Sequence, residues 1–138
     1  MSEKLIYITD NDIKRLRELI EKAKTLDHED KKYLKELRDE LNKGEVVSSK
    51  DIPPNVITMN SKVRLRNMTT QKEMVCCLVF PEDSNADQGK ISIFAPIGTA
   101  LLGNKVGDII EWKVPAGLMK LKVEEILYQP EAAGDYHL

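Results

Sequence analysis

Two adjacent prolines, Pro53 and Pro54, divide the chain into two parts with different hydrophobic periods. Before them, apolar residues recur at three- and four-residue spacing, which predicts helices. After them, short apolar or alternating runs are separated by glycine and polar residues, which predicts strands joined by turns. A chain with helices first and strands second is expected to fold as an α+β protein.

The helical part is predicted to form an antiparallel hairpin, a short coiled coil, over residues 1–44. Thr9 is placed to cap the first helix by accepting a backbone N–H, and Gly44 suits the end of the second. Two helices of about 15 residues would project about 22 Å. We expect the seam between them to be half buried. Its apolar residues are Ile13, Leu16, Ile20, Ala23, Leu34, Leu37 and Leu41.

Residues 45–54 lack a helical period and are predicted to be a linker. Residues 55–138 are predicted to form one β-sheet domain with one short helix, which Pro96 opens and Gly103 ends. The apolar run 74–80 is expected to be a buried central strand. The predicted strands are 56–59, 63–66, 74–80, 91–94, 109–114 and 119–127.

The charge balance argues against direct binding of nucleic acid. The chain has 21 basic and 23 acidic residues, a net charge of −2, and therefore no basic excess to neutralise phosphates. DNA or RNA is expected to be met only through a protein partner. No apolar run reaches the length of about 18 residues that a membrane span needs, and the first residues lack a signal-peptide core. We expect a cytoplasmic protein without membrane contact.

The residues that usually carry catalysis are scarce. The two histidines, His28 and His137, lie at a predicted turn and beside the C-terminus, and no glycine-rich phosphate loop follows a strand. Cys76 and Cys77 are neighbours, so they are expected to point to opposite faces of a strand as small buried groups. We expect a monomer that is not an enzyme and holds no metal or cofactor.

Three segments are candidates for function. The acidic hairpin tip, Asp27, Glu29 and Asp30, suits helix capping or a carboxylate cluster offered to a metal ion outside the protein. The loop 95–103 suits either a helical turn packed through its leucines or an apolar docking loop with Ile97 exposed. The C-terminal stretch 128–136 combines turn and aromatic residues, and we expect it to be ordered and packed.

The second of these segments carries a family resemblance. Residues 95–103 (APIGTALLG), followed by Gly107 and Asp108, resemble the C-terminal signature of the Gre transcription elongation factors, which stimulate transcript cleavage by bacterial RNA polymerase. Residues 56–61 (VITMNS) and 128–136 (YQPEAAGDY) are similar to a narrower group in that family, the regulators of nucleoside diphosphate kinase. The resemblance covers residues 52–138; in the hairpin it is one of architecture.

The resemblance implies an FKBP-like C-terminal domain that docks on RNA polymerase at the rim of its secondary channel. Within the signature, the implied docking residues are Pro96, Ile97, Gly98 and Leu101. In Gre factors, acidic residues at the tip of a longer coiled coil help to hold a catalytic Mg²⁺. Asp27, Glu29 and Asp30 occupy the matching place here.

The function predicted from these features is transcription regulation. The chain would bind RNA polymerase and compete with Gre factors without stimulating cleavage, because its helices are much shorter than theirs. One alternative is a short Gre-like cleavage or elongation factor. Another is an FKBP-like peptide-binding module, which the low aromatic content of 5 % and the single tryptophan, Trp112, make a poor fit.

Overall fold

The computed structural model describes residues 6–23, 31–114 and 117–135 of the chain. Two helices come first and a five-stranded mixed sheet follows, which confirms the predicted α+β class. The first helix, α1, is Asp10–Ala23, and the second, α2, is Lys31–Lys43. None of the helices in this described part combines the length and apolar character needed to cross a membrane.

The start of α1 is fixed by the predicted cap. The Asp12 N–H donates to Thr9 Oγ1 at 3.0 Å, so one of the free donors of the first turn is satisfied. Farther along, Arg17 Nη2 donates to Asn42 Oδ1 at 3.2 Å. This bond joins the middle of α1 to the end of α2.

The seam between the helices is more deeply buried than the sequence suggested. Leu16 and Ile20 of α1 and Leu37 and Leu41 of α2 are all buried, and Leu37 has no exposed surface. The expectation of a half-buried seam is wrong because the hairpin does not stand alone. Helix α2 also packs against the short helix of the C-terminal part, so its apolar face is covered from both sides.

A small parallel sheet ties the two ends of the hairpin together. Strand β1 (Tyr7–Thr9) pairs with strand β2 (Glu45–Val47), which lies inside the predicted linker. Asp10 Oδ1 accepts hydrogen bonds from both the N–H and the hydroxyl of Ser49. The segment after the hairpin is therefore held against the start of α1. The division into 1–44, 45–54 and 55–138 stays a prediction.

The main sheet has the strand order β5-β4-β3-β7-β6, and all neighbours are antiparallel except β4 and β5. The prediction of a buried strand is confirmed for the second half of β4, in which only Cys77 is half-buried, and is wrong for the first half, where Met74 and Val75 are exposed. The strands are β3 (Lys62–Asn67), β4 (Glu73–Val79), β5 (Lys90–Ser92), β6 (Ile109–Val114) and β7 (Gly117–Tyr128).

The predicted strand at 56–59 does not form. Its only ladder contact among the described residues is a single bridge between Val56 and Lys105. The backbone groups of this segment bond elsewhere: the Ile57 N–H donates to the carbonyl of Asn104, and the Met59 N–H donates to a side chain of α1. With these groups occupied, no neighbouring strand can pair with it.

Two short helices, rather than the one predicted, complete the C-terminal part. They are α3 (Pro96–Leu101) and α4 (Pro130–Ala133), and proline opens both. A single apolar cluster joins the hairpin to the inner face of the sheet and to α3. Its fully buried large side chains include Ile8, Leu16, Leu37, Leu41, Ile57, Met59, Leu65, Leu78, Ile93, Leu101 and Leu121.

Candidate functional site

The loop 95–103, which carries the family signature, packs its apolar side chains inward. Ile97 is 6 % exposed and Leu101 is fully buried, so the expectation that Ile97 is exposed is wrong. The Thr99 hydroxyl donates to the carbonyl of Ile93 at 2.7 Å and fixes α3 against the end of β5. The side chain of Pro96 is outside the described part of the structure. Whether the loop contacts a partner stays a prediction.

Two glycines explain why this loop lies so close to its neighbours. A Cβ on Gly98 would lie 2.1 Å from the carbonyl oxygen of Ser92, a distance that no real side chain tolerates. A Cβ on Gly103 would lie 1.8 Å from Ile6 Cγ2, and the backbone there has a φ of +81°. The small residues of the signature therefore serve the close approach of α3 to β5 and to the N-terminal segment.

The acidic tip residues Asp27, Glu29 and Asp30 lie outside the described residues, as does the turn that carries them. Their role stays a prediction. In the described ranges, no group of three or more His, Cys, Asp or Glu side chains is arranged to hold a metal ion.

A buried polar cluster, which the sequence analysis did not identify, lies where the hairpin meets the sheet. Asp12 is 1 % exposed, and its Oδ2 accepts the Met59 N–H at 3.1 Å. Beside it, the Thr58 hydroxyl donates to Glu131 Oε1 at 2.7 Å, and it lies 2.9 Å from the hydroxyl of Ser61. Three segments that are distant in sequence thus meet through polar groups.

The electrostatics of this cluster are unusual. Burial raises the pKa of the Asp12 carboxyl to about 7, the hydrogen bond from the Met59 N–H opposes that rise, and the nearby Glu131 carboxylate adds to it. The second oxygen of Asp12, Oδ1, is buried and has no hydrogen-bond partner among the described residues. The carboxyl group is thus only half satisfied, which is costly for a buried charge.

The C-terminal stretch packs against the rest of the protein through residues 129–131, as predicted, while residues 132–134 are exposed. Gln129 is buried, and its Nε2 donates to the carbonyls of Pro53 and Val56 at 2.8 and 2.7 Å. The Tyr128 hydroxyl bonds to Asp135. The available signal in the sequence was that Gln129 and Glu131 flank Pro130 in a stretch of turn and aromatic residues.

The outer face of the sheet carries a ladder of ion pairs. Arg64 on β3 lies 3.0 Å from Glu73 on β4 and 3.0 Å from Glu125 on β7, and Arg66 contacts Glu73 and Glu124. These side chains are one-fifth to one-half exposed, so each pair contributes at most about 1 kcal/mol. The ladder makes the part of this face around Arg64 and Arg66 polar.

The two cysteines do not form a reactive site. Burial raises the pKa of the Cys76 thiol to about 11, with Cys77 adding to the rise. Burial also raises the pKa of the half-buried Cys77, although Lys90 and Lys62 oppose it. Both thiols therefore stay protonated near neutral pH and act as small packing groups, as predicted from the sequence.

Two family models match the chain. The model described as "Transcription elongation factor, GreA/GreB, C-term" matches residues 52–128, and the model described as "Rnk N-terminus" matches residues 4–47. The first match covers more than half of the chain and includes the signature loop and all five strands of the main sheet. The second covers the hairpin and β2.

Individual relatives agree with both matches. A regulator of nucleoside diphosphate kinase from Escherichia coli (strain K12) is 39 % identical over 139 residues, which is 100 % of either chain. A transcription elongation factor GreA from Thermosipho africanus is 30 % identical and aligns with 89 % of this chain and 83 % of its own. The structure of a GreA/GreB elongation factor from Nitrosomonas europaea matches 91 % of this chain at 40 % identity with a TM-score of 0.75.

Proposed function

The chain belongs to the GreA/GreB transcription elongation factor family, within the group of the regulators of nucleoside diphosphate kinase, and we propose that it regulates transcription by binding RNA polymerase. It docks at the entrance of the secondary channel and competes there with Gre factors. The match over residues 52–128, which includes the signature loop, supports this assignment.

We assign the docking surface to the loop 95–103 and its surroundings. Ile97, Gly98 and Leu101 are buried, so they hold the shape of the loop from inside and do not themselves contact a partner. The direct contacts come from side chains that reach the surface beside it. Ala95 and Ala100 are partly exposed, and Val106 is 41 % exposed.

The short length of the hairpin supports the proposal that this protein does not stimulate transcript cleavage. Helix α1 has 14 residues and α2 has 13, which gives a projection of about 20 Å. A carboxylate must come within about 2.1 Å of Mg²⁺ to act as its ligand. A tip that stops short of the polymerase metal by one helical turn therefore adds nothing to cleavage, whatever acids it carries.

Copurification with core RNA polymerase tests the docking proposal. The wild-type protein should be captured, and Val106→Asp should reduce capture at least about tenfold, because apolar anchors carry most of the free energy of an interface. Leu118→Asp is the matched control. Leu118 is 51 % exposed and lies at the start of β7, opposite Lys113 of β6, so its substitution should leave capture unchanged.

The outcomes separate the parts of the proposal. No capture of the wild-type protein would refute polymerase binding. Normal capture of a folded Val106→Asp protein would move the docking surface away from this loop. Circular dichroism of both variants shows whether the fold is retained, as expected for substitutions at exposed positions.

A further inference from the structure

The joint between the hairpin and the sheet depends on one buried carboxyl group. Asp12, in the first turn of α1, is the residue through which this helix hydrogen-bonds to the segment 58–61, at the Met59 N–H. That segment is bound from the other side by Glu131 of α4 through the Thr58 hydroxyl. Asp12 and Glu131 thus approach the same short segment from two ends of the chain.

The surroundings of Asp12 favour its neutral form. The segment 58–61 supplies an N–H and hydroxyls but no charge. Helix α4 supplies a second carboxyl group, Glu131, which is 8 % exposed. The cation that acts on Asp12 is Arg15 of the same helix, whose guanidinium lies over the Phe80 ring, 4.2 Å from its centroid. Within the described residues neither Asp12 nor Glu131 forms an ion pair, and two neighbouring buried carboxyl groups resist double ionisation.

We propose that Asp12 makes this joint sensitive to protons: a protonated Asp12 keeps α1 seated on the segment 58–61, and ionisation of Asp12 loosens the contact. The orientation of the hairpin relative to the sheet is then more firmly held in mildly acidic than in mildly alkaline conditions. This inference concerns the protein alone and does not depend on polymerase binding.

The direction of the pH dependence follows from the linkage between proton binding and opening of the joint. Because burial raises the pKa of Asp12 above its ordinary value of 3.8 to about 7, the closed joint binds more protons than the open joint between those values. The stabilisation of the closed joint by Asp12 is therefore fully present below pH 3.8 and is lost as the pH rises toward 7. One proton taken up on closing corresponds to a change of about tenfold per pH unit in the opening constant.

Amide hydrogen exchange of Met59 measures the opening directly. After correction for the intrinsic exchange rate, the opening constant in the wild-type protein should rise about tenfold per pH unit between pH 5 and pH 7 and level off above. In Asp12→Asn it should not depend on pH, because the side chain still offers an oxygen to Met59 but cannot ionise. The control is the Val123 N–H, which bonds to Asp108 O within the sheet domain.

Three results would overturn the proposal. The first is a Met59 opening constant with the same pH dependence in Asp12→Asn as in the wild-type protein. The second is a parallel change at Val123, which would mean that the whole fold rather than the joint responds. The third comes from Glu131→Gln, which removes the neighbouring negative charge and should move the levelling-off to lower pH; an unchanged profile would exclude coupling between the two carboxyl groups.

Discussion

Gly103 is the residue at which the signature loop comes closest to the N-terminal segment. Its φ of +81° is unfavourable for any side chain, and the position of a Cβ is already occupied by Ile6. Gly107 has a similar φ of +96°, but nothing lies within 4 Å of a Cβ placed there. Substitutions at these two glycines can therefore distinguish the cost of backbone strain from the cost of a packing clash.

Gly103→Ala should destabilise the protein clearly more than Gly107→Ala. Both substitutions incur about 1–2 kcal/mol for a side chain at positive φ. Only the first forces Ile6 to move, which adds about 1–3 kcal/mol for overpacking. Urea denaturation of the two variants gives the comparison. Equal losses would show that Ile6 yields freely, whereas adding Ile6→Ala to Gly103→Ala should recover part of the loss if the clash is real.

For single residues, the sequence predicted local hydrogen bonds better than it predicted which side chains are exposed to solvent. The cap at Thr9 needs only two residues three positions apart, so it could be predicted. The burial of Ile97 could not, because proline and glycine around it usually indicate an exposed turn. Here Gly98 lets the loop lie on the backbone of Ser92, and that contact is visible only in three dimensions.

At the scale of elements, α2 packs against two neighbours, α1 and α3. Leu37 is fully buried in the cluster shared by the hairpin, α3 and the sheet. Leu37→Ala should therefore lower the free energy of unfolding by about 2–5 kcal/mol, the range for a core leucine. Lys35→Ala is the control on the same helix, since Lys35 is exposed and its loss should change stability by less than about 0.5 kcal/mol. Similar values for the two variants would contradict the packing of α2.

Elements with a strong pattern were predicted, and elements formed by distant contacts were not. Strand β7 alternates along its length, and α3 is bounded by proline and glycine, so both were found from the sequence. Strand β2 has three residues and exists because β1 lies beside it. The sequence of segment 56–59 is typical of a strand, yet its backbone N–H groups donate to the Asp12 carboxyl group and to the Asn104 carbonyl.

At the scale of the whole molecule, the short hairpin is built into the fold rather than attached to it. A single apolar cluster runs from α1 and α2 through α3 to the inner face of the sheet. The polar cluster around Asp12 and Glu131 adds directional contacts at the same place. On this basis we expect the packing of the hairpin on the sheet and on α3 to set the orientation in which it meets a partner.

A docked protein of this shape should block the channel entrance without aiding the chemistry inside it. With stalled, backtracked polymerase and Mg²⁺, it should not speed RNA shortening, and it should inhibit the shortening stimulated by a Gre factor as its concentration rises. Replacing Asp27, Glu29 and Asp30 together by alanine should leave that inhibition largely intact, because occlusion needs only the docked body. Val106→Asp should abolish inhibition.

Rapid RNA shortening by the wild-type protein that disappears in the triple variant would show that the tip reaches the metal. The protein would then be a short cleavage factor rather than a regulator that blocks the channel.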